Sequence, residues 1–111
     1  MKVRFVVLDP CSMESHVHES ELPVTFGRGT NAGIRLGDSW VSRAHCQIDQ
    51  IDGTLIVRDL GSKHGTLVNR QPVAESVLLP GDEVLIGMTS VRVAWANSQS
   101  LDDSMYEPAG A

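Results

Sequence analysis

The stretch AHCQIDQIDGTLIVRD, Ala44 to Asp59, decides the fold class. Ala44, Cys46 and Ile48 alternate with His45, Gln47 and Asp49. A period of two sends alternate side chains to opposite faces of an extended strand, so one face is apolar and the other polar. Asp52-Gly53 then breaks the run. Both central positions of a type I′ turn need positive φ, and Asp-Gly is a strong signal for that turn. Thr54 to Asp59 is the returning strand, so the segment is a β-hairpin.

The same pattern extends outward. Lys2 to Leu8 is a strand with Val3, Phe5 and Val7 on one face, and a polar loop carrying Pro10 is expected from Asp9 to Glu21. Val24 to Arg28 is a second strand and Gly27 to Gly33 a glycine-rich turn. Ile34 to Leu36 makes a very short strand closed by Gly37 and Asp38, Gly61 to Gly65 is a loop, and Thr66 to Asn69 is short and β-like. Pro80-Gly81-Asp82 is a turn, followed by a last hairpin of Glu83 to Ile86 and Ser90 to Trp95, with Val91, Val93 and Trp95 on one face. No window sustains an apolar repeat at helical spacing. About nine to eleven short strands cut by turn residues predict an all-β sandwich, one domain over 1–96. Asn97 to Ala111, rich in Ser, Asp and small residues, is expected to be a flexible tail or a linker to another domain.

Composition narrows the function. The chain has 111 residues and a formal net charge of −5, and no run of Lys or Arg. That disfavours non-specific nucleic-acid binding and anionic membranes, both of which need a basic surface. An anionic ligand remains open where a few cations gather, because screening makes local charge outweigh distant charge. Cys11 and Cys46 fit no zinc spacing and no Cys-x-x-Cys motif, so two free thiols in a reducing, cytoplasmic compartment are expected. The apolar alternation at the start is too short for a signal peptide or a membrane span.

Three loops carry the candidate chemistry: Gly27-Arg28, Ser42-Arg43-Ala44-His45 and Ser62-Lys63-His64-Gly65-Thr66. Loops at one end of a sandwich converge. Arg28 offers a planar fork of donors, Ser42 a hydroxyl, Lys63 a compact charge, and Gly65 a backbone free to expose amides. A phosphate ester dianion, with three strong acceptor oxygens, suits that inventory.

The ordered run Gly27-Arg28, Ser42-x-x-His45, and Asp59-Leu60-Gly61-Ser62-x-x-Gly65-Thr66-x-Val68-Asn69 resembles the signature of the forkhead-associated (FHA) domain. Gly81-Asp82 followed by Val84 and Gly87 is similar to that family's closing hairpin. The resemblance spans about Val3 to Trp95. It implies an eleven-stranded sandwich that binds phosphothreonine peptides and needs no cofactor. By resemblance, Arg28, Ser42 and Lys63 contact the phosphate. His45 supports its loop from behind, Gly27, Gly65 and Thr66 shape the loops, and Asn69 is structural. Arg43, His64 and Trp40 would meet the peptide; the family commonly has Asn where this chain has His64. Selectivity in the family usually depends on the residue three places after the phosphothreonine, and Trp40 and Val41 lie in the loop that would read it. The implied partner is a phosphothreonine protein, a Ser/Thr kinase or its substrate.

Other readings are weaker. Ser42, His45 and Asp59 suggest a catalytic triad, but no nucleophile elbow is present and Ser-x-x-His on one short segment does not set the usual geometry, so no catalytic residue and no enzyme is expected. Gly27 to Gly33 matches neither a dinucleotide fingerprint nor a P-loop. His16 and His18, two apart with Glu14, Glu19 and Glu21 nearby, could share a face toward a metal, but such clusters in polar segments are usually solvated, and no metal is expected. The rival from another class is a structural or assembly domain whose phosphate pocket is unused.

Overall fold

The computed structural model describes residues 2–96. The tail expected over 97–111 lies outside the described residues, as does the side chain of Trp95. Eleven strands form two sheets. Their ranges are β1 Lys2–Leu8, β2 Ser15–Glu21, β3 Val24–Gly27, β4 Ile34–Arg35, β5 Cys46–Ile51 and β6 Thr54–Asp59, then β7 Thr66–Val68, β8 Gln71–Val73, β9 Glu75–Leu78, β10 Glu83–Ile86 and β11 Thr89–Ala96. One sheet runs β2-β1-β11-β10-β7-β8 and the other β4-β3-β5-β6-β9. The pairs are antiparallel except β3 with β4. No described helix is long and apolar enough to cross a membrane.

The all-β sandwich read from the sequence is the fold observed. Alternation places the core between the sheets: Val3, Phe5 and Val7 of β1 face Val24 and Phe26 of β3, Cys46 and Ile48 of β5, and Val57 of β6, all buried. Phe5 and Phe26 meet edge to face with ring centroids 5.2 Å apart, an arrangement the ring quadrupoles favour. The hairpin turn holds Asp52 at φ 53° and Gly53 at φ 81°, the backbone a type I′ turn demands.

Three strands depart from the sequence reading. The polar loop expected from Asp9 to Glu21 contains β2, and β8 and β9 occupy a stretch where the sequence pattern predicts no strand. All three are edge strands of their sheets. An edge strand needs no apolar alternation, because its order comes from the neighbour's hydrogen-bonding edge. In β2 only Val17 is apolar, and it is exposed; the register Phe5↔His18 and Val7↔His16 is set by β1. That register puts His16 and His18 on one face, but no group of three or more metal-ligating side chains exists among the described residues.

Candidate functional site

The loops β3–β4, β4–β5 and β6–β7 are joined by hydrogen bonds rather than merely adjacent. The Arg28 and Gly29 amides donate to the Ser42 and Arg43 carbonyls at 2.9 and 3.1 Å. The first two loops therefore run side by side. This closeness requires Gly27: a Cβ there would lie 1.9 Å from the Arg43 carbonyl oxygen.

Arg28 Nε donates to the Val41 carbonyl at 3.0 Å. That bond fixes the plane of the guanidinium beside Ser42 and leaves its terminal nitrogens for another acceptor. Ser42 Oγ accepts from the Lys63 amide at 3.0 Å, which links the second loop to the third and leaves the hydroxyl proton free to donate elsewhere. Arg28, Ser42 and Lys63 are thus connected through Val41 and the Ser42 hydroxyl. No hydrogen bond to the Lys63 ammonium and none to the Arg43 guanidinium occurs among the described residues, and both residues are exposed.

His45 is fully buried beneath this surface. The Ser42 amide donates to its Nδ1 at 3.0 Å, and its Nε2 lies 2.8 Å from the Gly65 carbonyl. Nδ1 accepts only when it carries no proton, so Nε2 bears the hydrogen and donates to Gly65. One imidazole thereby holds the Ser42 loop to the Gly65 loop. Both ring nitrogens are taken by backbone groups, so neither is left to accept the proton of the Ser42 hydroxyl.

Asp59 organises the third loop. Its carboxylate accepts from the Gly61 and Ser62 amides at 2.9 and 3.0 Å and from the Ser62 and Thr66 hydroxyls. The Gly65 amide in turn donates to Ser62 Oγ at 2.9 Å. The Lys63 and Gly65 amides are therefore occupied within the protein and shape the loop. Thr66 is buried and Gly65 has φ +86°, a left-handed conformation glycine tolerates. The role of Asp59 did not stand out within the motif, yet an Asp with Gly and Ser two and three places on, as in Asp59-Leu60-Gly61-Ser62, is a signal for an Asx-type turn.

Burial pushes the Asp59 carboxyl up, but hydrogen bonds from Ser62, Thr66 and the two amides outweigh it and hold the group below the ordinary Asp range. A depressed folded-state value contributes stability that is fully present above the unfolded value and is lost as pH falls through the folded one. Wild type is accordingly expected to lose stability below about pH 4, where Asp ionises. Asp59→Asn should cost about 1–2 kcal/mol at pH 7, because its amide nitrogen faces donors instead of accepting from them. Urea midpoints measured from pH 3 to pH 7 should show the two proteins converging at the acid end; a constant gap would refute the assignment.

Trp40 and His64 bring the second and third loops together a second time, with ring centroids 4.6 Å apart at 62°. Trp40 is half exposed. Asp38 secures the base of that loop: Oδ1 accepts from the Trp40 amide, and Oδ2 from the Met88 amide and the Thr89 hydroxyl of the β10–β11 turn. Neither Asp38 nor the Val41 carbonyl stood out in the sequence. Asn69 lies apart from these loops. At φ 49° it forms the β7–β8 turn, and its side chain bonds Asp82 and the Glu83 amide, tying that turn to β10.

Charge is distributed unevenly. Arg4, Arg58 and Arg70 form ion pairs with Glu19, Glu75 and Glu83. Arg28, Arg35, Arg43 and Lys63, on or beside the three loops, have no carboxylate partner among the described residues, while Arg35 Nε bonds the Arg28 carbonyl. Four of the cations without a carboxylate partner among the described residues are thus gathered on or beside the three loops, although Lys2 and Arg92, which also lack one, lie elsewhere.

Comparison with known proteins agrees with this geometry. The model of the FHA domain matches residues 24–87, from β3 through all three loops to the β10–β11 turn. An oxoglutarate dehydrogenase inhibitor of Corynebacterium diphtheriae is 48% identical over 63 residues, covering 57% of this chain and 44% of the relative. The glycogen accumulation regulator GarA of Mycolicibacterium smegmatis is 42% identical over 78 residues, covering 70% of this chain and 48% of the relative. The chain thus spans about half the length of these curated relatives. A solved FHA domain, studied for phosphothreonine-dependent interactions, superposes with a TM-score of 0.73 at 32% identity, over 86% of this chain and 98% of that one. With the matched segment containing more than half of the sequence and every loop that builds the site, this chain belongs to the FHA domain family.

Proposed function

We propose that this chain is a phosphothreonine-dependent protein–protein interaction module, with Arg28, Ser42 and Lys63 holding the phosphate. The observation that carries the reading is the connection of three loops around Arg28 and Ser42 with donors left over. The Arg28 guanidinium is oriented by one bond to Val41 and keeps its terminal nitrogens, and the Ser42 hydroxyl accepts from Lys63 and keeps its proton. A phosphate dianion offers acceptor oxygens to both, and charge-assisted bonds of this kind are roughly twice as strong as neutral ones. The Lys63 ammonium completes the charge balance. Arg43, His64 and Trp40 meet the peptide on either side. The donor and acceptor nitrogens of a neutral His64 imidazole point away from each other, where an Asn amide presents its donor and acceptor side by side, so one ring nitrogen meets the peptide backbone.

The partner is a protein phosphorylated by a Ser/Thr kinase, or the kinase itself. The relatives named as a regulator and an inhibitor are consistent with a module that acts by binding, and no catalytic residue and no cofactor are needed for that role. Free thiols at Cys11 and Cys46 suit a cytoplasmic setting. The domain extends over 1–96, with 97–111 as tail or linker.

Titration with paired threonine and phosphothreonine peptides tests the proposal. Only the phosphorylated member should bind. Its affinity should fall as salt rises, and again below about pH 6 as the phosphate takes up a proton. Equal binding of both members would favour an assembly domain with an unused pocket.

A further inference from the structure

β9 ends its sheet, so one of its edges meets β6 and the other meets solvent. The Asp59 amide donates to the Ala74 carbonyl at 2.9 Å. Bonded pairs in an antiparallel ladder recur at every second residue. Ser76 and Leu78 therefore turn their backbone groups to Val57 and Leu55 of β6, while Glu75 and Val77 turn theirs outward. The Val77 carbonyl accepts from the Ser76 hydroxyl at 3.1 Å and keeps a second lone pair. No hydrogen bond to the Glu75 or Val77 amide occurs among the described residues. Past the strand, the Leu79 amide and carbonyl are both taken by Asp82, so the free edge is confined to Glu75 and Val77.

Unpaired backbone groups on an edge attract another strand unless charge, proline or shortness blunts them. The other three edges are blunted. β4 has two residues, β8 carries Pro72, and β2 holds two glutamates with Val17 as its one apolar residue. In β9 the one charge, Glu75, is offset by Arg58 at 3.2 Å, and Val77 beside it stands 52% exposed.

This edge is complementary to itself. One antiparallel register uses the outward groups of both residues, and it sets Glu75 of each copy against Val77 of the other, with a two-fold axis at Ser76. Four backbone bonds form, the aliphatic stem of each Glu75 covers a Val77, and the two Glu75 carboxylates are not opposed. An axis at Glu75 would set them face to face, which like charges oppose. We propose that β9 is a dimerisation edge, occupied by β9 of a second copy in this register. Two-fold pairing is the commonest form of self-association. Ala74 meets Asp59 at the head of the third loop, so antiparallel pairing points the two phosphate-binding ends in opposite directions, and one dimer holds two partner proteins. That consequence rests on the phosphothreonine reading; the dimer does not, and its test needs no peptide.

Sedimentation of the full chain over rising concentration should show its mass climbing toward twice the monomer's, with half association on the order of 100 µM, because so short an edge buries less than a standard interface. Val77→Glu, which brings a carboxylate against Glu75 of the other copy, should weaken association about tenfold or more while circular dichroism stays unchanged. Val77→Lys should associate more tightly than Val77→Glu, because its ammonium meets that same carboxylate. In a Cys11→Ser background, Ser76→Cys should form a covalent dimer on mild oxidation, since self-opposed residues of a non-bonded pair stand about 4.5 Å apart at Cα, within disulfide reach. Thr54→Cys, exposed on β6 and one strand further from the axis, should not. A chain that stays monomeric at every concentration leaves β9 to a strand of another protein and overturns the inference. Association indifferent to the charge at position 77, or cross-linking at Thr54 as fast as at Ser76, would overturn it as well.

Discussion

Arg28→Ala is expected to weaken phosphothreonine-peptide binding by about 100-fold or more while leaving the domain folded. The guanidinium supplies the fork of donors at the site, and hydrogen bonds to a charged group contribute about 1.5–3 kcal/mol each. Two of them correspond to about 100-fold or more at 1.4 kcal/mol per tenfold. Among the described residues the side chain makes one hydrogen bond, to the Val41 carbonyl, and the residue is exposed. Loss of one such bond costs about 0.5–1.5 kcal/mol, too little to unfold a domain of ordinary stability. Arg28→Lys should recover only a small part of the affinity, because an ammonium is a point charge without the planar fork. Ser42→Ala should have a smaller effect on binding than Arg28→Ala, costing about 1–3 kcal/mol for the hydroxyl bond. Calorimetric titration with circular dichroism of each variant separates binding from folding. A folded Arg28→Ala protein with wild-type affinity would remove Arg28 from the site and with it the proposed mechanism.

The fold was legible wherever a strand is buried on one face. β1, β5, β6 and β10 each alternate, since the solvent is on one side and Phe26, Val57 or their neighbours on the other. The edge strands β2, β8 and β9 were not legible, because a sequence such as SHVHESE shows no pattern until β1 imposes a register on it. At the site, the order of Gly27-Arg28, Ser42 and Ser62-Lys63 pointed to three converging loops. How they are joined was not visible, since Arg28 to Val41, Lys63 to Ser42 and Asp38 to Met88 are contacts to backbone groups, and a backbone carbonyl or amide has no residue type to recognise. Which amides around Gly65 are taken up was hidden for the same reason: it depends on which side chain reaches each of them, as Ser62 reaches Gly65 and Ser42 reaches Lys63.

His45→Ala is expected to be among the most destabilising single changes in the domain, although the side chain is out of a ligand's reach. The ring is fully buried and joins the Ser42 amide to the Gly65 carbonyl across two loops. Alanine leaves both backbone groups without partners, at about 1–3 kcal/mol each, and a cavity adds to the loss. A total of about 3–5 kcal/mol is a large share of the 5–15 kcal/mol typical of a folded domain. For about 100 residues it corresponds to a fall in melting temperature of roughly 15 °C or more. Binding should weaken as well, even at low temperature where the variant is folded, because the Ser42 amide loses its anchor to the Gly65 loop and the Ser42 Oγ bond to the Lys63 amide is left to position it. Urea unfolding and peptide titration at 10 °C measure the two effects separately. A variant within about 1 kcal/mol of wild type would mean that the loops keep their positions without the imidazole, and that water or a rearranged backbone satisfies Ser42 and Gly65 instead.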